Sequence, residues 1–576
     1  MSSQSCLLNL FPVEIIHLIF DYLSTCDILH GFVNQSLYLD SIVFNYNFYR
    51  INFRSILKTD FDLICEQIPA KNIISLVLSD EMDTPGQSNL FFSLRKLEDF
   101  HVSLRSLTLY NLNLQSIELI LNQLDQFNNL SSLTIINDTS ISFETYQYHL
   151  FRFVRLKISC ECFFHNLMNL PRLKYLTITN PCTFHQLNSI LSYSPNLNSL
   201  NLSLEHENGI HIQQSICNLT QLIVNMTQCP MNMTYMKDFL NWFPNLKFLE
   251  IECRSDLDLC DGYEWEKFLS NQISNLKIFH FKFQLRSTII INTNGIQNIL
   301  RSYSSSYWLN EKQWFIAIEW NRRLVYSIPR YLCESADSDF RRPLNCTIKD
   351  ESIFYNHINA LAIWGESNDY FPNVKELWLV DDPLVINLES MINFNQIERL
   401  VFSSKLHLSI DTLFNLIKKM KNLSSIQFYH LPSSFNEYKQ NVSFEQIRSI
   451  EFSREIKSIS LIQILNEIFP RIQRLTMKIN SFDEIEKIFQ TFSSSLSIVC
   501  FHCDTSTIST TNENLFQKIF NHSNFTFSIQ SNSIHFWIGS KNITEKILNQ
   551  QVKEKKKRKL FQCFSWCSSK KYQIQQ

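Results

Sequence analysis

The chain has 576 residues, 45% hydrophobic, 13% aromatic and 18% charged, which is ample apolar material for a large folded core. Its 7 glycines are scattered, the nearest pair being Gly262 and Gly295, so no Walker loop, dinucleotide fingerprint or nucleophile elbow can be built. Residues 552–576 hold eight basic residues and one acidic. The other 551 hold 44 basic and 53 acidic, a balance that argues against a nucleic-acid-binding domain.

The first predicted element is a helix entered at Pro12, where a missing N–H costs nothing. Ile15, Ile16, Ile19, Phe20 and Leu23 give it a wide apolar face. Ser24-Thr25-Cys26-Asp27 can cap a second helix carrying Ile28, Leu29, Phe32 and Val33. Two short helices bury too little to stand alone and must dock on the rest of the chain or on another protein. Met1 to Leu10 lacks a basic region, and Glu14, His17 and Asp21 break the apolar stretch, so a signal peptide is not expected. No run approaches the ~18 apolar residues of a membrane span. The 16 cysteines are therefore expected to be reduced, in an intracellular protein.

Leu10-x-Pro12-x-Glu14-Ile15-Ile16, then Ile19-Phe20-x-Tyr22-Leu23, Asp27-Ile28-Leu29 and Phe32-Val33-Asn34 together resemble an F-box. Leu37-Tyr38 stands where that family usually has an aromatic, often Trp. The resemblance implies docking to the adaptor subunit of a cullin–RING ubiquitin ligase, and through it to a cullin. The matching docking residues are Leu10, Pro12, Ile15, Ile16, Ile19, Phe20, Leu23, Leu29 and Val33.

A repeat of apolar, two spacers, apolar, one spacer, apolar follows. Clear members are Leu104-Leu107-Leu109, Leu130-Leu133-Ile135, Leu173-Leu176-Ile178, Leu197-Leu200-Leu202, Leu219-Leu222-Val224, Leu246-Leu249-Ile251 and Leu276-Phe279-Phe281. It resumes with Val374-Leu377-Leu379, Ile397-Leu400-Phe402, Leu423-Ile426-Phe428, Ile447-Ile450-Phe452, Ile472-Leu475-Met477 and Leu496-Val499-Phe501. Ile73-Leu76-Leu78, Phe153-Leu156-Ile158 and Ile358-Leu361-Ile363 are weaker members. The last two apolar positions alternate as in a strand. Between strands, sets such as Ile117, Ile120, Leu121, Leu124 and Ile410, Leu413, Phe414, Ile417 keep helical spacing. Pro171, Pro195, Pro244, Pro372 and Pro470 all fall two residues before a first strand position, ending the helix. This predicts an α/β solenoid of stacked strand–helix units. It resembles the leucine-rich-repeat family in a long, irregular form, with parallel strands inside and helices outside. The Asn or Cys that normally follows the strand is replaced by Leu112, Pro181, Glu205 and Thr227.

Between the two runs of repeats, Trp314, Ile316, Ile318 and Trp320 alternate against Leu324, Tyr326 and Ile328 across Asn321-Arg322-Arg323, which predicts an inserted β-hairpin. Lys555-Lys556-Lys557-Arg558-Lys559 near the end precedes Phe561, Cys563, Phe564, Trp566 and Cys567. Nuclear import, weak contact with an anionic membrane and a solvated disordered tail all fit that composition.

Expected boundaries are an F-box at 1–48, a helical linker at 49–72, solenoid at 73–286, the insertion at 287–355, solenoid at 356–550 and the tail at 551–576. No enzyme is expected. His206-Glu207 lacks a second His at i+4, since Ile210 stands there and His211 is one place late. Asp256, Asp258, Asp261 and Glu264 have Gly262 misplaced for a calcium loop. Cys160/Cys162 and Cys563/Cys567 have no second ligand pair for zinc. No metal and no cofactor are expected.

An F-box before leucine-rich repeats implies a substrate receptor, cytoplasmic unless the tail directs it to nucleus or membrane. Its target would meet side chains between the apolar strand positions: Tyr110, Tyr175, Glu250, Glu252, His280, Lys282, Trp378, Tyr429, Arg474 and Lys478. The alternative is a repeat scaffold without a ligase role, whose N-terminal helices only cap the array.

Overall fold

In a computed structural model, the described residues are 7–137, 150, 152–159, 170–205, 218–286, 292–340, 343, 345–365, 367–380, 387–404, 409–430, 435, 442–454, 459–492, 495–503 and 525–539. Three helices come first: α1 (Val13–Phe20), α2 (Thr25–Phe32) and α3 (Leu37–Asn45). Ser24 and Asp27 form a reciprocal capping box that starts α2, and the Ser36 side chain caps α3.

Ten parallel strands follow: β1 (Tyr49–Asn52), β2 (Ile73–Ser79), β3 (Ser106–Tyr110), β4 (Ser132–Ile136), β5 (Arg155–Ile158), β6 (Tyr175–Cys182), β7 (Ser199–Leu204), β8 (Gln221–Met231), β9 (Phe248–Ser255) and β10 (Ile278–Leu285). The hairpin β11 (Phe315–Glu319) and β12 (Leu324–Ile328) is added antiparallel beside β10. Then come β13 (Ser335–Asp337), β14 (Asn345–Cys346), β15 (Ala360–Ile363), β16 (Glu376–Leu379), β17 (Arg399–Phe402), β18 (Ser425–Phe428), β19 (Ser449–Phe452), β20 (Arg474–Lys478) and β21 (Ile498–His502). A last hairpin, β22 (Phe525–Gln530) and β23 (Ser533–Ile538), runs antiparallel to β21. The strands make one thirteen-stranded sheet ending β10-β12-β11-β14 and one ten-stranded sheet beginning β13-β15.

The repeat explains the register. Leu107, Leu133, Leu156, Leu176, Leu200, Leu222, Leu249 and Phe279 are successive cross-strand partners in the first sheet. Leu377, Leu400, Ile426, Ile450, Leu475 and Val499 continue the pattern in the second. All are buried against helices on one side of the sheets. Ile410–Lys419 is typical: capped by Ser409, it buries Leu413, Phe414 and Ile417. Strands sit ~4.8 Å apart and helices ~8–10 Å apart, so stacking such units curves the array toward its strands. An asparagine ladder is present at a different place from the one expected. Asn129, Asn196, Asn218, Asn373 and Asn422 stand directly before the first apolar position of a repeat. Each donates its Nδ2 to a carbonyl of the preceding unit at 2.6–3.2 Å.

Two expected boundaries change. Residues 49–72 are not a helical linker: they begin with β1, which pairs with β2, and continue into α4 (Lys58–Gln67), forming the first strand–helix unit. The insertion expected to run to 355 ends earlier, because β13 pairs parallel with β15 and opens the second sheet, which β23 and β22 finish as a hairpin. Residues 540–576, including the basic tail, lie outside the described residues. No helix among the described residues is long and apolar enough to cross a membrane.

The two ends of the chain meet. The Trp537 indole, fully buried, donates to the Ile56 carbonyl at 2.8 Å and lies 4.9 Å from the Phe61 ring. Thr526 Oγ1 donates to the Pro85 carbonyl at 2.6 Å, and the Lys58 N–H to Ser497 Oγ at 3.1 Å. Arg474 ion-pairs with Asp83 at 2.9 Å and also reaches the Ser55 carbonyl. At the opposite junction Ala317, Tyr326 and Ile328 of the hairpin share a core with Leu332 and Phe354. The two arcs therefore form a closed ring, strands facing inward and helices outward. Trp537→Ala should cost about 3–5 kcal/mol, the range for removing a buried aromatic, in urea denaturation followed by circular dichroism. A cost below ~1 kcal/mol would mean that the ends are not joined.

Candidate functional site

Two surfaces stand out, and the first lies on the N-terminal helices. Inward, Ile16, Phe20 and Leu29 join the main core, the Phe20 ring edge-on to Phe32 at 5.0 Å and to Tyr46 at 5.3 Å. These three, expected on a docking face, are buried and cannot serve there without unfolding the helices. Leu10, Pro12, Ile15 and Leu23 are exposed, and Ile19 and Val33 half-buried. The outward side of α1 sets Ile15 beside residues that the sequence reading did not place on a docking face, Phe11, Leu18 and Tyr22. Ile15 and Leu18 lie on α1, with Phe11 just before the helix and Tyr22 just after it, at spacings of 4, 3 and 4, and Ile15 is 41%, Leu18 56% and Tyr22 90% exposed. Leu7 and Leu10 precede it on a short turn that is held to α3 by Ser36 Oγ donating to Asn9 Oδ1 (2.6 Å) and by Tyr38 OH donating to the Phe11 carbonyl (2.7 Å). Exposed Leu37 at the start of α3 extends this apolar edge.

The second surface is the inner face of the ring. Glu250 pairs across strands with His280, and Glu252 with Lys282, so four of the expected target contacts form one patch. That patch is partly covered. Residues 329–332, after the hairpin, cross it, and Arg330 grips Glu250 through Nε at 3.1 Å and Nη2 at 2.8 Å, while the Tyr331 hydroxyl donates to the same carboxylate at 3.3 Å. Glu250 is thus buried, its side chain 8% exposed, and is not a surface contact as expected. Lys282 lies 3.5 Å from Glu252 and 5.6 Å from the Tyr331 ring. Burial lowers the His280 pKa, with Glu250 opposing and Arg330 adding to that shift.

The other expected contacts are dispersed. Tyr110 lies under the Arg54 guanidinium (4.4 Å), Tyr175 under Arg155 (4.7 Å) and Tyr429 under Arg454 (5.0 Å). Trp378 is 43% exposed and donates Nε1 to Glu376 at 2.7 Å. Arg474 is engaged in the ring closure, and Lys478 is half-buried at the end of the same strand. A polar network escaped the sequence reading. Arg399 Nη2 reaches Gln427 at 2.7 Å and Glu451 at 3.4 Å, and Gln427 Nε2 donates to Glu451 at 2.9 Å. No sequence spacing signals it, because the three residues come from adjacent strands.

Cys500 Sγ lies 3.8 Å from both His502 and His535, and Ser533 Oγ 2.9 Å from His535. Burial, with Asp83 and Glu451, pushes the Cys500 thiol up to about 12, so it is protonated at neutral pH and is no activated nucleophile. Among the described residues no three His, Cys, Asp or Glu side chains are placed to hold a metal ion. His206, His211, Cys160, Cys162, Cys563 and Cys567 lie outside the described residues.

No protein-family model matches the sequence, and no curated protein does. Among solved structures, the crystal structure of the Rad7 and Elc1 complex in yeast aligns with 81% of this chain and 88% of its own, at 13% identity and a TM-score of 0.22. A superposition that loose carries no inference.

Arg330→Ala should destabilise the protein by about 1–3 kcal/mol by leaving the Glu250 carboxylate buried with fewer partners. Adding Glu250→Gln should recover part of the loss in thermal denaturation. No effect of the single change would mean that Glu250 is solvated. A second expectation concerns pH. Burial, aided by His502, holds the His535 pKa below its ordinary value, against the pull of Asp83. As pH falls below ~6.5 the unfolded chain binds that proton first, and stability drops until the lower folded pKa is passed. His535→Gln should therefore narrow the difference in melting temperature between about pH 7.5 and about pH 5.5; an unchanged difference would clear His535 of the effect.

Proposed function

We propose that the chain is the substrate-recognition subunit of a cullin–RING ubiquitin ligase. In this reading the N-terminal helices are an F-box that docks the adaptor subunit, and the ring is a leucine-rich-repeat solenoid that presents the target. The chain itself performs no catalysis; it holds the target near the ligase. The observation that carries the proposal is the exposed apolar surface of Ile15 and Leu18 on α1, extended by Phe11 before it and Tyr22 after it, on a helix whose opposite side is already buried in the core. A short helix exposing large apolar side chains in such a row is paying hydration free energy that a partner would recover. The F-box pattern in the same residues names the partner's class, and the parallel-strand array gives the wide, pre-formed inner surface a receptor needs.

The docking residues in this reading are Leu10, Phe11, Pro12, Ile15, Leu18, Ile19, Tyr22 and Leu23. Ile16, Phe20 and Leu29 act by fixing the helices from inside. The test is capture of the full chain by purified adaptor subunit, with an Ile15→Asp/Leu18→Asp variant and a Leu119→Asp control, Leu119 being exposed on an outer helix. Capture should fall at least about tenfold in the first variant and persist in the control, with both melting near the parent. A well-folded full chain that is not captured would make the protein a repeat scaffold instead.

A further inference from the structure

Where the strand order breaks, β14 ends the first sheet and β13 begins the second. The hairpin turn and the first strands of the second sheet enclose a cleft of about 910 Å³ there. Small inner-face side chains make room at its floor: Ser335 pairs with Ala360, and Ala360 and Ala362 stand opposite the larger Glu376 and Trp378. Elsewhere on this face the corresponding positions carry side chains as large as Lys157 and Arg399. Trp364 and Trp378 line the cleft, 48% and 43% exposed, with Phe340 beside them.

We propose that this cleft binds an extended segment of the target protein through an arginine or lysine side chain. The inference rests on reading the inner face as the target surface, and it is independent of adaptor docking. Large indoles left in water within a concave site are the usual anchors of binding energy. The charge of the lining selects the ligand. Glu319, Asp337, Asp339 and Glu376 contribute carboxylates, and among the described lining residues only Arg322 is a cation. Arg322 is already spent on Glu319 at 3.5 Å. Glu376 is shared between the Trp378 indole N–H and Arg399, the latter at 3.9 Å. A guanidinium or ammonium placed here meets both the carboxylates and aromatic rings that attract cations. Among the described residues no strand pairs with the outer edges of β13 and β14, so an extended backbone has main-chain groups to pair with. Arg341 and Arg342, between the lining residues Phe340 and Pro343, lie outside the described residues, as does the basic tail, and the experiment tests both as competitors.

The experiment measures fluorescence polarisation of a labelled peptide of alternating Ser and Arg with the full chain, beside the same peptide with citrulline and with Glu. The Arg peptide should bind at least about tenfold more tightly than the citrulline peptide, and the Glu peptide should not bind. Trp364→Ala with Trp378→Ala should weaken the Arg peptide by about tenfold or more, while Tyr235→Ala, at an exposed residue of an outer helix, should not. Equal binding of Arg and citrulline peptides, or affinity retained without the two indoles, would overturn the proposal. So would binding that appears only after R341Q/R342Q or after K555Q/K556Q/K557Q/R558Q/K559Q, since the cleft would then hold the chain's own basic residues. Adaptor capture on the same preparations separates the two readings. Peptide binding without capture would defeat the ligase role alone, and capture without peptide binding would defeat this assignment alone.

Discussion

A strand–helix unit of this kind has no core of its own. Its alternating apolar residues are covered only by the units before and after it, so a linear stack always leaves two uncovered ends. Both ends are covered here, and by one another. The first unit is covered on its outer side by α1 to α3 through Phe20, Tyr46 and Tyr49. It meets the last hairpin through Phe61 and Trp537. Closing the array in this way makes residues more than five hundred positions apart share one core, to which both Ile16 and Trp537 belong. The joint also contains a fully buried lysine: Lys58 is paired with Asp62 and lies 5.1 Å from the Trp537 ring, its pKa lowered by burial against the pull of that carboxylate. A charge in such a place is tolerated only while its partner is present, which ties the N-terminal region to the integrity of the C-terminal strands.

Closure has consequences for the surfaces. Inner-face side chains of a ring are held by neighbours on both sides, so their geometry is set before any partner arrives, which lowers the entropic cost of binding. Arg399, Gln427 and Glu451 show this on the second sheet, and Glu250 with Arg330 and Tyr331 on the first. The hairpin is central to the arrangement. It joins β10 to the terminal strand β14 of the first sheet, its following segment covers Glu250, and its turn forms one wall of the junction cleft. An insertion that interrupts the repeat thus both completes the core and decides which part of the inner face stays open.

The N-terminal helices show the opposite situation, a surface left uncovered. Helix α1 is apolar on two sides, and its composition alone does not say which side turns inward. Ile16 and Phe20 face the core because α2, α3 and the aromatic residues Tyr46 and Tyr49 lie there. Ile15, Leu18 and Tyr22 are then left outside. The sequence reading grouped Ile15 with Ile16, Ile19, Phe20 and Leu23 as one face, and Leu18 and Tyr22 fell outside it. Glu250 was misplaced for a related cause: strand alternation correctly sets it on the inner face, but its cover comes from Arg330, eighty positions away.

The sequence alone determined what depends on neighbours along the chain. Period-two apolar positions placed the strands from β2 to β10 and from β15 to β21, helical spacing placed the helices between them, and alternation about Asn321-Arg322-Arg323 placed the β11–β12 hairpin. Such patterns are local because a side chain's direction follows from its own backbone conformation. Tertiary structure decided what depends on distant segments: that the ends join at Trp537, that α1 turns Ile16 inward, and that Arg330 covers Glu250. It also decided that Trp364 and Trp378 share a cleft with Glu319. Each of these is a contact between segments that the repeat leaves equally free to face water, and only the packing of the whole chain selects among them.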